Sequence, residues 1–161
     1  MHKHRLMDSR LRELGIELPP VLPSPGNFLP YIIRGNFLYL SGKGAPRRQL
    51  QPGQPVPKVG REVSTEEATA HAREIGIYLL ALMKDALGSL DRVEQVVKVL
   101  GMVNAVDDFT EHTEVINGCS DLLVEVFGAR GQHTRSAVGV KSLPKGFAVE
   151  IEAMVEIRNS P

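Results

Sequence analysis

The sequence predicts an α+β fold in which a single β-sheet carries two helices packed on one face. Three observations lead there. Short alternating apolar runs lie near both ends of the chain, two long stretches of helical periodicity fill the middle, and a near-continuous apolar strand separates them. The order is therefore hairpin, helix, strand, helix and two further strands.

Taken in order, Asp8 to Leu14 reads as a short amphipathic helix, with Leu11 and Leu14 on one side and Arg10, Arg12 and Glu13 toward water. Pro19, Pro20, Pro23 and Pro25 then hold an extended connector. Residues 1–29 form an N-terminal extension and residues 30–161 the main domain. The first hairpin pairs Tyr31-Ile32-Ile33 with Phe37 to Ser41 across Arg34-Gly35-Asn36, where Gly-Asn is a turn signal. Lys43 to Arg61 is rich in Pro and Gly and carries Lys43, Arg47, Arg48, Lys58 and Arg61 without an acid. Phosphate contacts would suit such a stretch, but the interleaved aromatics of a single-strand binder are absent, so a mobile loop or a lid over a pocket is expected.

Ser64 with Glu67 makes a capping box that opens a long helix. Ala68, Ala72, Ile75, Leu79, Leu82 and Ala86 recur at steps of three and four, and Gly88 suits its end. His71 falls near the polar side and is expected at the surface. Val93 to Val103 alternates little, which places it centrally in the sheet. After Asp107-Asp108-Phe109 comes a second helix, Thr113 to Phe127, with Ile116, Cys119, Leu123 and Val126 on its apolar side and Gly128 as its stop.

Two strands close the chain, Ser136 to Val140 and Phe147 to Ile157, read as a hairpin about Lys141 to Gly146. In the second, Phe147, Val149, Ile151, Ala153, Val155 and Ile157 alternate with positions that include Glu150, Glu152 and Glu156. That is period two, so the glutamates share one face. Arg135 stands at the mouth of the preceding strand. It is either a candidate anion fork or one half of a salt bridge to Glu150 or Glu152.

Composition narrows the function. A chain of 161 residues suits one domain with a real core. Nineteen basic and nineteen acidic residues cancel, which gives no reason to expect nucleic-acid or membrane binding and is compatible with self-association. The single Cys119 allows no intrachain disulfide and no multi-thiolate metal site; it reads as a packing residue in a reducing compartment. No apolar leader precedes the first helix and no run reaches membrane-spanning length, so a cytoplasmic protein without cofactor or metal is expected.

The pattern R-S-x-V-x-V-x-x-L-P-K-x-x-x-V-E-I-E-A, running from Arg135 to Ala153, resembles the C-terminal signature of the RidA family, the enamine/imine deaminases also called endoribonuclease L-PSP proteins. The resemblance extends over roughly Pro30 to Ile157. It implies the chorismate-mutase-like fold and a homotrimer with a small-molecule pocket in each inter-subunit cleft. It also implies roles. Arg135 would clamp the carboxylate of a 2-imino or 2-enamino acid, and Glu150 would hold the attacking water. Tyr31, in Pro30-Tyr31, Ser41, in Ser41-Gly42, and Asn117 on the second helix match positions near the ligand, as does Ala137 where the family commonly has cysteine. Ala137, a shorter first-hairpin loop and a longer approach to Asn117 mark a divergent subgroup. Three activities remain in view: deaminase, non-catalytic binder of carboxylate metabolites, and, ranked last for a neutral chain whose His112 and His133 show no acid/base spacing, endoribonuclease.

Overall fold

A computed structural model describes residues 6–45 and 50–159. Arg47 and Arg48 of the basic stretch lie outside the described residues. Three helices, α1 (Leu6–Glu13), α2 (Thr65–Leu87) and α3 (His112–Phe127), accompany five strands: β1 (Tyr31–Arg34), β2 (Phe37–Gly44), β3 (Val93–Asn104), β4 (Thr134–Val140) and β5 (Val149–Ile157). The strands form one sheet in the order β1-β2-β5-β3-β4.

The helix ends follow local chemistry. Ser64 caps α2 by accepting the Glu67 N–H at 3.1 Å, and Gly88 closes it at φ 75° with its own N–H on the Lys84 carbonyl. Loss of such a cap costs about 1 kcal/mol. Thr69 to Arg73 of α2 runs so close to α3 that a side chain on Gly118 would meet the Thr69 carbonyl oxygen at 2.1 Å. Only glycine permits that approach. Both helices cover the same sheet face, where Val99, Val103, Ile151, Val155 and Leu38 are fully buried.

Helix α1 adds a third element to that layer. Leu11 is buried, Arg10 donates to the Glu125 carbonyl at 2.9 Å, and Lys84 pairs with Asp8 at 2.9 Å. Burying Leu11 contributes roughly 2 kcal/mol, so the N-terminal segment is packed onto the domain.

The structure corrects the C-terminal hairpin. β4 and β5 do not pair: β3 lies between them, antiparallel to β5 and parallel to β4. Parallel pairing needs a crossover, and α3 supplies it, leaving 141–148 to pass over the end of β3. β3 is thus central, as its composition predicts. Two further expectations shift. The 43–61 stretch is not a free loop throughout, since Lys43 and Gly44 extend β2 and Val59 is buried, bridged to Val63 and to Ala105. His71 is half-buried, with Nδ1 enclosed beside Phe147. Among the described residues no helix is long and apolar enough to cross a membrane.

Candidate functional site

A single register row runs across the whole sheet: Tyr31, Leu40, Ala153, Val99, Arg135. Paired residues share a face, and Leu40, Ala153 and Val99 are buried under the helices. Tyr31 and Arg135 therefore sit at opposite edges of the sheet on its helical side. Four strand spacings separate them by roughly 19 Å.

At the β4 edge, Arg135 is held from α3. Its Nη1 donates to Asn117 Oδ1 at 2.8 Å and to Ser120 Oγ at 3.1 Å. Asn117 and Ser120 are three residues apart and so project from one side of the helix. The hold continues behind Ser120. His133 Nδ1 lies 2.7 Å from the Gly131 carbonyl and must donate to it, which leaves Nε2 to accept the Ser120 hydroxyl proton at 2.9 Å. Ser120 then accepts from the guanidinium. Among the described residues Nε and Nη2 of Arg135 donate to nothing, so a planar two-donor edge remains available. The expected alternative, a salt bridge to Glu150 or Glu152, does not form.

Ala137 follows two residues along β4, beside Gly101 of β3 and packed partly against the core. Cys119 is fully buried under α3, and burial pushes its thiol up to about 12, so it is a packing residue and not a nucleophile.

At the opposite edge the two hydroxyls are engaged within the chain. Tyr31 donates to Asp85 on α2 at 2.7 Å, and that bond raises the phenol above its ordinary range. Ser41 donates to the Leu29 carbonyl at 2.6 Å. Both border a hollow of about 380 Å³ that also includes Tyr39 and Glu152.

Glu150 lies on β5 where that strand pairs with β2. It lies three residues from Ala153 on β5, an odd offset, and so projects from the uncovered face of the sheet. Its carboxylate rests against Gly42, 2.9 Å from where a side chain would begin, at an irregularity in β2 between Leu40 and Lys43. Burial first, then Glu152, raises Glu150 above the usual carboxylate range, with Lys43 acting against them. Among the described residues it forms no hydrogen bond or ion pair. Tyr39 and Val138 are both 42% exposed on this same face, which has no helical cover.

One chain thus brings Arg135 and Asn117 together at one edge and Tyr31 and Ser41 around one hollow, while Glu150 lies on the uncovered face against Gly42, the residue after Ser41. Sequence reasoning missed Ser120, although its spacing from Asn117 was the available signal. His133, which shows no acid/base spacing in the sequence, reaches Ser120 from the loop just before β4. No group of three or more His, Cys, Asp or Glu side chains among the described residues is placed to hold a metal.

Comparison with known proteins places the chain in a family. Residues 8–149 match the family model described as YjgF/chorismate mutase-like, putative endoribonuclease. Protein TCP17 of Trypanosoma cruzi is 40% identical over 152 residues, 94% of each chain. The crystal structure of Atu1372, of unknown function, from Agrobacterium tumefaciens superposes with a TM-score of 0.82 at 38% identity, over 98% of this chain and 96% of that one. RidA from Psychrobacter gives 0.55 at 25% identity, over 84% and 91%. The greater coverage of Atu1372 includes the N-terminal segment. With the family model spanning most of its length, the chain belongs to the YjgF/RidA family of chorismate-mutase-like proteins.

Proposed function

We propose that the protein hydrolyses 2-imino and 2-enamino acids to 2-oxo acids and ammonia, at a site shared between neighbouring copies of a homotrimer. The observation that carries this reading is the half-used guanidinium of Arg135, gripped through Nη1 and open along Nε and Nη2. A carboxylate fits that edge with two parallel hydrogen bonds. Fixing the carboxylate fixes the adjacent carbon, which lowers the entropic cost of water attack.

Arg135 and Glu150 on opposite faces cannot both reach one small ligand in a single chain. A neighbouring copy resolves this, its Glu150 face meeting the β4 edge of the first. The uncovered sheet face, with Tyr39 and Val138 exposed, supplies apolar surface for such an assembly.

The chemistry needs one group to take and return protons. Protonation of an enamine at C3 gives the iminium. Water adds at C2 while Glu150 accepts its proton and passes it to the nitrogen; Glu150 then takes the proton of the new C2 hydroxyl as the C=O bond forms and the C–N bond breaks with its electron pair leaving on ammonia. A carboxylate raised by burial is a stronger base than one in water and returns the proton more readily. Ala137 in place of cysteine removes no step, because no step uses a thiol.

The test is ammonia release from freshly generated 2-aminoacrylate by purified protein, compared with Arg135→Ala. Release by the native protein alone supports the deaminase. Saturable binding of a 2-oxo acid without turnover supports the second reading, a carboxylate-metabolite binding protein, for which the same arginine edge is the ligand fork.

A further inference from the structure

A second concavity opens at the far end of β4. Its volume is about 780 Å³, and Gly139, on its wall, is four residues beyond Arg135. That distance is roughly 13 Å along a strand, so the two sites are separate.

Its charged wall is built on buried structure. Asn104 is fully buried, donates to the Phe147 carbonyl at 3.2 Å and accepts the Lys58 ammonium at 2.5 Å. The same ammonium reaches the Lys141 carbonyl, so Lys58 is fixed at the rim with one N–H left over. Glu62 secures the neighbouring turn, taking the Lys58 backbone N–H at 2.9 Å and Arg61 Nε at 2.5 Å. These bonds, the backbone one foremost, hold its carboxyl down to about 2. The terminal nitrogens of Arg61 donate to nothing among the described residues, and Lys141 has no ion pair there. Asp107 is the carboxylate in the wall.

His112 completes the site. It is the first residue of α3, packs edge-to-face on Phe109 at 5.1 Å between ring centroids, and lies against Gly139, whose missing side chain makes room for it. Neither ring nitrogen has a hydrogen-bond partner among the described residues. Glu111, at the helix N-cap, makes no side-chain cap bond and instead accepts from the Thr65 hydroxyl at 3.3 Å.

We propose that this cavity binds a small molecule carrying a phosphate group. Lys58, Arg61 and Lys141 line the cavity as separate cationic points, Arg61 keeping its terminal nitrogens free beside its Nε pair with Glu62, which suits an oxyanion with several equivalent oxygens better than a carboxylate. The volume exceeds that of a phosphate several-fold, and Phe109 offers an apolar wall for the organic part.

The test titrates phenyl phosphate into the full chain at fixed ionic strength and follows heat. Saturable binding is expected, weakened roughly tenfold by Lys141→Ala and by Arg61→Ala, and unchanged by Arg135→Ala. Both substituted residues are exposed, so the fold is retained. Absence of saturation overturns the proposal. So does loss through Arg135→Ala, which moves the anion to the arginine site, or equal weakening by Lys145→Ala, an exposed lysine outside the cavity, which reduces the effect to general charge.

Discussion

The two ends of the register row from Tyr31 to Arg135 make opposite use of the helices above them. At the β1 edge, Tyr31 donates its phenol proton to Asp85, and nearby Ser41 donates to a backbone carbonyl. At the β4 edge, α3 engages a single nitrogen of Arg135 and leaves the rest of the guanidinium unpaired. The first edge has little hydrogen-bonding capacity left to donate, whereas the second is held in position with donors in reserve. On the proposed reading, ligand recognition centres on β4, and the β1 edge serves mainly as wall.

Substitutions that separate these roles sharpen the contrast. Arg135→Ala removes the fork, and kcat/KM for 2-aminoacrylate hydrolysis should fall on the order of 10³-fold. Glu150→Gln keeps shape but not basicity. Its kcat should fall about 10²-fold with KM little changed, which steady-state kinetics resolves. The same variant carries a stability signature. Because the folded state raises Glu150, the native protein has no penalty below the ordinary glutamate value of about 4.3 and gains one as pH rises through the raised value. The Tm of Glu150→Gln relative to native should accordingly increase across that window.

Ser120→Ala tests the hold on Arg135. It should raise KM about tenfold while leaving kcat nearly intact, and Ser120→Thr should restore it. Tyr31→Phe should change kcat/KM by about threefold or less. A large loss there would reverse the comparison and place recognition at the β1 edge.

Much of this arrangement is legible in the sequence because its causes are local. Ser64, Glu67 and Gly88 mark both ends of α2 through bonds spanning three or four residues. The alternation from Val149 to Ile157 gives the buried and open faces of β5 directly. The insertion of β3 between β4 and β5 is different, since a strand order depends on pairings between distant segments that leave no trace in either strand. With that order hidden, the phase of Arg135 relative to Glu150 is hidden as well, and the two read as neighbours when they lie on opposite faces. Asn117 is legible through family resemblance. Ser120 is marked only by its three-residue spacing from Asn117, and its role, like that of His133, exists only once α3 is laid over the start of β4.

The direct test of a site built from two copies is complementation. Arg135→Ala and Glu150→Gln proteins, each inactive alone, are unfolded together in equal amounts, refolded and assayed for ammonia release. If Arg135 of one copy works with Glu150 of the next, random assembly leaves roughly a quarter of the interfaces with both groups intact, and about that fraction of native activity should return. A mixture as inactive as its components would contradict the account.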